Sequence, residues 1–303
     1  MKKVAILIPV HNRLSYTQKC LRSLSNEIEH INSTDIGFKI IVIDDGSTDG
    51  SSEFITQNYP DVILLHGNGS LWWSGAINKG AKYALKELDS DYVLLWNNDI
   101  NTNPEYFENI VKIILSKDDK TIIGSKIYRD DYSNIIWSAG GIFNPKTGNK
   151  YMIGMNKKDT KEFNNIIECD WLTGMGTLIH RNVIEKIGYW NNELFPQYYG
   201  DCDFTYRAKL GGFKITVSPE LKIWNDTISS GLKHQNKIKY MISSLYDIKS
   251  IYNIKDNFNF YRLYSESIFA YKALLVMYFK YIGGFIKWKL LGLLAINRKR
   301  KLD

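Results

Sequence analysis

The pattern of apolar and polar positions in the first hundred residues predicts short buried strands that alternate with helices. Each apolar run is only a few residues long and is followed by polar or turn-forming residues, which favours parallel strands buried on both faces. The predicted strands are Val4–Val10, Phe38–Ile43, Val62–Leu65 and Tyr92–Trp96. Apolar residues at helical spacing predict helices at Ser15–Ile28 and Ser74–Leu88.

This alternation predicts an α/β fold with a single, mostly parallel sheet and helices on both faces. Ligands of such sheets bind at the carboxyl ends of the strands. Four polar loops begin at these ends: HNR at 11–13, DDGSTDG at 44–50, GNGSLWW at 67–73 and NNDI at 97–100. Although they are distant in sequence, these loops should meet along one edge of the sheet and form a ligand site.

The charge of the chain is unevenly distributed. Among the 303 residues there are 39 Lys and Arg and 32 Asp and Glu. Residues 231–303 contain 14 Lys and Arg against 4 Asp and Glu, a net charge of +10. Residues 1–230 contain the other 25 Lys and Arg and 28 Asp and Glu, a net charge of −3. The basic character therefore belongs to the C-terminal segment.

Two further features limit the class of protein. The apolar run after Lys2 and Lys3 is too short, and too soon interrupted by Pro9, for a secretory signal, so we expect a cytoplasmic protein. The 3 cysteines are odd in number and show no C-x-x-C spacing. They predict neither a disulfide framework nor a zinc site, and we expect free thiols.

Carboxylates follow two of the predicted strands. Asp45 could accept the imide N–H of a uracil or thymine ring, with His11 and Arg13 supplying a flat face and a cation beside the same base. Asp99 could hold Mg²⁺ or Mn²⁺ against a diphosphate, because these ions take hard oxygen ligands. A structural role is the alternative for each carboxylate, because aspartates often cap helices and occupy turns.

A third acidic group lies in YGDCDFTYRAKLGGFKI, where Asp201 and Asp203 flank Cys202. One of these carboxylates could act as a general base. Spacing by itself assigns no role, because residues two apart share a face on a strand and diverge on a helix. A solvated acidic loop is the alternative, and the spacing leaves both interpretations open.

Taken together, these segments resemble the family 2 glycosyltransferases, which have the GT-A fold. The matching segments are PVHNR at 9–13, IDDGSTDGS at 43–51, SGAINKG at 74–80, LLWNNDI at 94–100, WLTGMGTLIHRNVIEKIGYW at 171–190 and YGDCDFTYRAKLGGFKI at 199–215. The resemblance implies a GT-A domain at 1–230, with a nucleotide-sugar half at 1–100 and an acceptor half at 101–230. Residues 231–303 are left as a C-terminal, basic, amphipathic helical segment.

The resemblance implies an inverting transferase that moves a sugar from a UDP- or dTDP-sugar to an acceptor hydroxyl in a single displacement. The chain resembles the bacterial polysaccharide and rhamnosyltransferase-like members of the family. We expect the acceptor to be a lipid-linked intermediate of a cell-surface polysaccharide, such as O-antigen or capsule. Asp201 matches the catalytic base of the family. Asp99 matches the metal-binding acid of its DxD-like motif, with Mg²⁺ or Mn²⁺ as the implied cofactor.

The resemblance also implies two groups of binding residues. The nucleotide-binding group is Pro9, Val10, His11, Asn12, Arg13, Asp45, Gly67, Asn68, Asn78 and Asn98. The group at the sugar and acceptor pocket is Trp72, Trp73, Trp171, Thr173, Gly174 and Asp203. We expect Asn78 to help orient the diphosphate from the first turns of its helix. We also expect Trp73 to pack beneath its loop and Trp72 to form a wall of the donor pocket.

Several positions depart from the family pattern. Asn97 replaces the first acid of the DxD motif, and Gly200 replaces the Glu that usually precedes the base. Ile77 stands where many relatives carry an arginine, and either Asn225 or Asp226 stands where a histidine often completes the metal site. These departures leave open an alternative function, a catalytically inactive, membrane-associated protein that binds a nucleotide-sugar.

Two other enzyme classes are disfavoured by the loop after the first strand. A sugar nucleotidylyltransferase needs a glycine-rich basic loop there, and a Rossmann dehydrogenase needs G-x-G-x-x-G. The segment PVHNRLSYT contains no glycine. The glycosyltransferase interpretation is therefore preferred over both.

The basic C-terminal segment alternates aromatic and basic residues. Lys280, Lys287 and Lys289 interrupt every window of about 20 residues, which argues against a transmembrane helix. On a helix, Lys272, Lys280 and Lys287 would lie within about 80° of one another. They would form a basic stripe opposite an aromatic and aliphatic face. We expect Gly283–Gly284 to divide this segment into two helices.

A basic stripe beside apolar residues is typical of a helix that lies in a membrane interface. We therefore expect peripheral attachment to an anionic membrane surface at the inner face of the cell membrane, where a lipid-linked acceptor would be found. A packing helix or a homodimer interface is the alternative. Nucleic-acid binding is disfavoured, because no recognised nucleic-acid motif accompanies the charge.

Overall fold

The computed structural model describes residues 1–31, 33–116, 119–129, 133–225 and 237–299, with side chains in the last range described for 237–289 and 291. The strands are β1 (Lys2–Val10), β2 (Ile36–Asp44), β3 (Ile63–His66), β4 (Tyr92–Leu95), β5 (Ile100–Thr102), β6 (Thr121–Tyr128), β7 (Ile136–Ser138), β8 (Gly141–Phe143), β9 (Lys150–Met152), β10 (Ile167–Glu168), β11 (Thr177–His180) and β12 (Lys214–Asn225). The helices are α1 (Leu14–Glu29), α2 (Ser51–Asn58), α3 (Trp72–Lys86), α4 (Tyr106–Leu115), α5 (Arg181–Ile187), α6 (Gly200–Leu210), α7 (Ile238–Ser244), α8 (Ile254–Tyr264) and α9 (Ala270–Lys299).

The central sheet has the strand order β10-β12-β6-β11-β4-β1-β2-β3. The four strands predicted in the first hundred residues, β1 to β4, pair in parallel as expected. Strand β11 runs antiparallel between β4 and β6, so the second half of the sheet is mixed. The parallel half brings the carboxyl ends of β1, β2 and β4 to one edge, which is where the candidate site lies.

Helices cover both faces of the sheet, as the sequence predicts. Alternate residues of a strand face opposite sides, and β1 shows this clearly. Val4, Ile6 and Ile8 lie in an apolar cluster with residues of α1 and α4, whereas Ala5 and Leu7 lie in a second cluster with residues of α3, α5 and α6. Strand β1 is therefore buried on both faces, which explains its continuous apolar sequence.

The chain divides into two compact units, residues 1–142 with 151–230 and residues 143–150 with 231–303. The second unit is held together by tyrosines. The ring of Tyr281 stacks on that of Tyr252 with a centroid distance of 3.8 Å. The Tyr261 hydroxyl donates a 2.6 Å hydrogen bond to the carbonyl oxygen of Gly148. Residues 143–150 thus group with the C-terminal helices, although the sequence motifs assign them to the first domain.

Helix α9 is continuous from Ala270 to Lys299. The expected division at Gly283–Gly284 is therefore wrong. Glycine costs about 1 kcal/mol in a helix interior, but it keeps its backbone N–H and can continue the hydrogen-bond ladder. A Cβ at either glycine would meet nothing within 4 Å, so no neighbouring group forces a bend there.

Candidate active site

All four predicted polar loops are joined by side-chain hydrogen bonds at the edge of the sheet. His11 Nδ1 donates to the carbonyl oxygen of Asp45 at 2.7 Å. The N–H of Asn12 donates to Ser47 Oγ at 2.7 Å. These bonds link the HNR loop to DDGSTDG, and the strand ends beneath them place NNDI beside both. The expected convergence of loops is confirmed by these contacts.

The HNR loop has an unusual backbone. Asn12 and Arg13 have φ values of 59° and 63°, in the left-handed region that residues with a Cβ rarely adopt. Asn12 is held there by Thr48, whose N–H donates to Asn12 Oδ1 at 3.0 Å. The guanidinium of Arg13 is directed to the NNDI turn, where it pairs with Asp99 at 3.2 Å. Strained backbone of this kind clusters at functional sites.

Three other residues of the predicted nucleotide-binding group, Pro9, Val10 and Asn98, lie below the surface of the loop edge. Val10 is 3% exposed and belongs to the core. Pro9 is half-buried within β1. Asn98 Nδ2 donates to Thr17 Oγ1 of α1 at 3.1 Å, which ties the NNDI turn to that helix. These residues therefore support the loop edge from beneath.

Asp45 is 6% exposed, and its carboxylate is occupied by the GNGSLWW loop. One oxygen accepts the N–H of Gly69 at 2.8 Å. The other accepts the N–H groups of Leu71 at 2.8 Å and Trp72 at 3.0 Å. The expected role of reading the imide of a base needs a carboxylate oxygen that faces the ligand. Both oxygens accept loop N–H groups, three in all, and the reading of a base by Asp45 stays a prediction.

The remaining part of the loop is built around this carboxylate. A Cβ at Gly67 would collide with Asp45 Oδ1, so only glycine fits there. Asn68 is exposed, and its Oδ1 accepts the hydroxyl of Ser70 at 2.6 Å. Gly67 therefore allows the backbone to approach the Asp45 carboxylate closely, and its expected contact with the nucleotide stays a prediction.

Helix α3 begins at Trp72, two residues before the predicted start, and its first N–H groups are already bonded. Besides the two N–H groups held by Asp45, that of Trp73 donates to Gln197 Oε1 at 3.2 Å and that of Ser74 donates to Pro196 O at 2.8 Å. The N-terminus of this helix therefore presents no series of open donors for a phosphate group.

Asn78 lies on the same helix and is 7% exposed. Its Nδ2 donates to the carbonyl oxygen of Trp190 at 2.8 Å, and its Oδ1 accepts the N–H of Trp190 at 2.9 Å. Nδ2 also donates to Asn192 Oδ1 at 3.1 Å. Asn78 therefore ties α3 to the 190–192 segment, and the expectation that it orients a diphosphate does not agree with this placement.

The adjacent tryptophans have different surroundings. Trp73 packs against the apolar cluster on the α3 face of the sheet, and its ring fills the space that a Cβ at Gly174 would need. Trp72 is half-buried and has a φ of 55°. The assignment of Trp72 as a wall of the donor pocket stays a prediction.

Asp201 lies in the first turn of α6 and is partly exposed. Its Oδ2 accepts the N–H of Gly174 at 2.8 Å, and its Oδ1 accepts the N–H of Cys202 at 2.7 Å. The hydroxyl of Thr205 donates to the carbonyl oxygen of Asp201 at 2.8 Å. The carboxylate thus has a fixed orientation, reaches solvent, and lies next to the turn on which Trp73 packs.

Asp203 has no exposed surface, in contrast to Asp201. Its carboxylate pairs with Arg207 at 2.9 Å, and the same guanidinium donates to the carbonyl oxygens of Ile187 and Tyr189. A buried carboxylate already paired with a cation is poorly suited to accept a substrate proton. The expectation that Asp203 lines the sugar and acceptor pocket does not agree with its burial.

Trp171 and Thr173 are also buried, at 4% and 8% exposure. Trp171 packs where a Cβ at Gly141 would be, and the carbonyl oxygen of Thr173 accepts the hydroxyl of Thr177 at 2.6 Å. These two residues therefore support the TGMG turn from the interior of the protein. Their expected contact with a sugar does not follow from their position.

Residues that sequence reasoning missed connect the two halves of the site. Ser74 Oγ donates to the carbonyl oxygen of Phe195 at 2.6 Å and fills the space that a Cβ at Gly200 would need. Gln197 binds the first turn of α3. No pattern in the sequence indicates that WWSG and QYYGD lie side by side in the fold, because the two segments are more than a hundred residues apart in the chain.

The comparison with known protein families agrees with this geometry. Residues 5–188 match the model of the family described as Glycosyl transferase family 2. The chain belongs to this family. The match includes the four polar loops and the TGMG turn, and the family 2 resemblance seen in the sequence is confirmed.

Several curated proteins are similar to this family 2 chain. The low-salt glycan biosynthesis hexosyltransferase Agl10 of Haloferax volcanii is 26% identical over 180 residues, which is 58% of this chain and 55% of that protein. The poly-beta-1,6-N-acetyl-D-glucosamine synthase of Staphylococcus aureus is 22% identical over 199 residues, 61% of this chain and 42% of that protein. The chain thus spans about half the length, or less, of these curated relatives.

Solved structures support the fold. The structure of S. aureus TarS 1–349 superposes with a TM-score of 0.52 at 18% identity and covers 75% of this chain and 60% of that one. The structure of GalNAc-T7 with UDP, GalNAc and Mn²⁺ superposes with a TM-score of 0.56 at 14% identity. The superposition covers 74% of this chain and 43% of that one. At these identities the likeness shows that the family 2 chain has the predicted α/β, GT-A-type fold.

The predicted metal site of the family 2 chain contains one acidic side chain, Asp99, which pairs with Arg13. Asn225 pairs with Ile100 across β12 and β5 and so lies beside the turn that contains Asp99. Asp226, the other candidate, is outside the described residues. Within the described ranges, no group of three His, Cys, Asp or Glu side chains could hold a metal ion. Such a set fits Mg²⁺ or Mn²⁺ only where a diphosphate and water supply the other ligands.

Proposed function

We propose that the protein is an inverting glycosyltransferase that transfers a sugar from a UDP- or dTDP-sugar to an acceptor hydroxyl. Asp201 carries this proposal, because it is a partly exposed carboxylate held at the edge where the family 2 motifs meet. The relatives named as a hexosyltransferase and a polysaccharide synthase support a saccharide acceptor. A lipid-linked intermediate of a cell-surface polysaccharide such as O-antigen or capsule is the acceptor that we propose.

In the proposed reaction Asp201 accepts the proton of the acceptor hydroxyl. The hydroxyl oxygen then forms a bond to the anomeric carbon of the donor sugar, and the bond from that carbon to the diphosphate breaks. The nucleoside diphosphate leaves with the bonding electrons, and a single displacement inverts the anomeric configuration. The Gly174 N–H orients the carboxylate of Asp201, which matters because a general base must lie within hydrogen-bond reach of its proton.

Charge on the departing diphosphate must be neutralised at the other end of the site. Asp99 would hold Mg²⁺ or Mn²⁺ there, and such an ion would stabilise the negative charge of the leaving group. Arg13 lies within 3.2 Å of Asp99 and supplies a fixed positive charge at the same place. With Asn97 in place of the first acid of the DxD motif, we expect weaker metal binding than a two-carboxylate site would show.

The substitution Asp201→Asn tests the proposed function. It removes the base while keeping the shape of the side chain, and we expect the rate of sugar transfer, or of slow donor hydrolysis, to fall by at least about 100-fold. Asp89→Asn is the matched control, because Asp89 is an exposed carboxylate outside the polar loops that pairs with Arg181. Activity should be measured with UDP- and dTDP-sugars, with and without Mn²⁺.

Unchanged donor turnover in Asp201→Asn would contradict the assignment of the base. Donor binding without any turnover in the unaltered protein would favour the alternative, an inactive protein that binds nucleotide-sugars. A thermal-shift series with UDP-, dTDP- and GDP-sugars separates these outcomes, because a ligand that binds the folded state raises the melting temperature.

We further propose that α9 attaches the protein peripherally to an anionic membrane at the inner face of the cell membrane. Its exposed side includes Lys272, Lys280 and Lys287 together with Phe279 at 74% and Ile286 at 50% exposure. The sequence predicts the lysines opposite an apolar face. In the structure, Lys280 and Lys287 are exposed beside the exposed apolar residues Phe279 and Ile286. In the described part of the chain, no helix is both long and apolar enough to cross a membrane.

Sedimentation with vesicles tests the attachment. Vesicles that contain anionic lipid should pull down the protein, and the triple substitution of Lys272, Lys280 and Lys287 by Gln should release it. The matched control replaces Lys19, Lys86 and Lys158, which are exposed lysines of the first unit, and removes the same charge. Equal release by both triple variants would contradict a specific role for α9. A homodimer built on this face would instead appear as a concentration-dependent mass without lipid.

A further inference from the structure

The side chain of Gln197 is bonded at one end and open at the other. Its Oε1 accepts the N–H of Trp73 at 3.2 Å. A backbone N–H can bond only to the oxygen of a carboxamide, so this contact decides which end of the side chain is the oxygen and which is the NH2 group. Gln197 is half-buried, and among the residues that the structure describes its Nε2 has no hydrogen-bond partner and is not a buried atom. The NH2 group therefore offers two N–H donors to a ligand.

Gln197 lies close to the proposed base, because Trp73 connects the two side chains. The backbone N–H of Trp73 is bonded to Gln197, and the ring of Trp73 fills the space that a Cβ at Gly174 would need. The N–H of Gly174 in turn donates to Asp201 Oδ2 at 2.8 Å. The amide of Gln197 and the carboxylate of Asp201 are therefore separated by little more than one tryptophan residue.

The chain segment that carries Gln197 is fixed on both sides of this residue. Before it, the carbonyl oxygens of Phe195 and Pro196 accept the hydroxyl and the N–H of Ser74, at 2.6 and 2.8 Å. After it, the carbonyl oxygen of Tyr199 accepts an N–H of α6 at 2.7 Å. A side chain held in this way loses little freedom when a ligand binds, so its hydrogen bond contributes more fully to affinity.

We propose that Gln197 is a specificity-determining residue that donates a hydrogen bond from Nε2 to a hydroxyl oxygen of the sugar being transferred. This inference rests on the proposed function, because it assumes that the anomeric carbon of a donor sugar lies beside Asp201 during the displacement. The ring hydroxyls of that sugar then lie near Gln197, whereas the diphosphate is directed to Arg13 and Asp99. An open amide donor selects against a sugar that lacks the matching oxygen, because the donor is then left unpaired.

The first experiment tests the orientation of the amide in the full chain without ligand. Gln197→Met removes the acceptor of the Trp73 N–H, and the exchange of this N–H with solvent deuterium should become at least about tenfold faster. Gln197→Glu keeps an oxygen at the same place, and its exchange rate should stay within about threefold of that of the unaltered protein. Equal exchange rates in Gln197→Met and the unaltered protein would overturn the assigned orientation.

The second experiment combines Gln197→Met with changes in the donor sugar. The parent donor is whichever of UDP-glucose, UDP-galactose, UDP-N-acetylglucosamine and dTDP-glucose raises the melting temperature most, and its analogues each lack one ring hydroxyl. Loss of one particular hydroxyl should weaken binding to the unaltered protein at least about threefold and binding to Gln197→Met by less than about 1.5-fold. Gln57→Met is the matched control, because Gln57 is exposed on α2, and it should respond to each analogue as the unaltered protein does.

The pattern across the analogues separates a direct contact from an indirect effect. A shift of Trp73 caused by Gln197→Met would weaken the parent and all analogues by the same factor, and this result would overturn the contact. Equal weakening of UDP or dTDP without a sugar would assign the contact to the nucleotide and would overturn it as well. If no nucleotide or nucleotide-sugar binds the unaltered protein, the proposed donor class is wrong and the sugar contact is overturned with it.

Discussion

The hydroxyl oxygen of Ser74 occupies the space that a Cβ at Gly200 would need. This contact joins the start of α3 to the start of α6, the helix that carries Asp201. It also leaves no space for a side chain at the residue before the proposed base. The tryptophan-containing segment and the proposed base are therefore parts of one packed unit.

Gly200→Ala should destabilise the protein by about 1–3 kcal/mol, because the added methyl group overpacks against Ser74. Ser74→Gly in the same chain should recover part of that loss by opening the space. Urea denaturation of both single variants and the double variant gives the coupling energy. Additive effects would show that the two residues do not compete for the same space.

Asp203→Asn should lower the free energy of unfolding by about 3 kcal/mol, because it leaves the largely buried Arg207 without its carboxylate partner. Asp201→Asn should change stability by less than about 1 kcal/mol, because Asp201 is partly exposed. Chemical denaturation and transfer activity are measured on the same samples. A large activity loss in Asp203→Asn at full stability would assign a chemical role to Asp203.

Replacing Gly283 and Gly284 by Ala should stabilise α9 by about 1 kcal/mol per residue, because both positions are open and lie inside one helix. Gly148→Ala is the contrasting variant. It has a φ of +73°, and its Cβ would collide with the backbone of Ala270, so this change should be destabilising. Thermal unfolding followed by circular dichroism measures both. Lower helicity in the double alanine variant would indicate a functional break at the glycine pair.

Asp256→Asn should stabilise the protein above pH 6 by about 1–2 kcal/mol. Burial raises the pKa of Asp256 to about 6, and its Oδ2 has no hydrogen-bond partner. Between pH 4 and 6 the folded state keeps a proton that the unfolded state has released. The free energy of unfolding therefore falls as pH rises through this range, and it stays lower once the buried carboxylate is ionised. The advantage of Asn should disappear near pH 4.

Urea denaturation at pH 4 and at pH 7.5 checks the prediction for Asp256. Asp247→Asn is the control, because Asp247 belongs to the same unit and its carboxylate accepts the N–H of Lys249. An advantage of Asp256→Asn that is the same at both pH values would contradict the electrostatic explanation.

Much of the fold was predictable from the sequence because its signals are local. The apolar runs at Val4–Val10 and Tyr92–Trp96 have the length and composition of buried strands, and the loops after them supply the polar groups. Parallel pairing then brings those loops to one edge whatever their separation in the chain. The helix start at Trp72 was missed, because its N–H partners come from Asp45 and not from a local cap.

The roles of single polar residues were less predictable. Asp45, Asn78 and Asp203 each stand in a motif that suggests ligand binding, yet each is buried with its polar atoms bonded to other parts of the protein. Their partners lie between four and more than a hundred residues away. Whether a carboxylate faces a ligand or a backbone N–H depends on which distant segment packs beside it.

By itself, the sequence determined the α/β alternation, the common edge of the polar loops and membership of glycosyl transferase family 2. Each of these depends on periodicity or on short motifs. Only the tertiary structure decided that Asp201 is partly exposed whereas Asp203 is buried, that Asp45 holds the tryptophan pair, and that α9 is continuous. Burial and hydrogen-bond partners are properties of packed segments, and no local pattern encodes them.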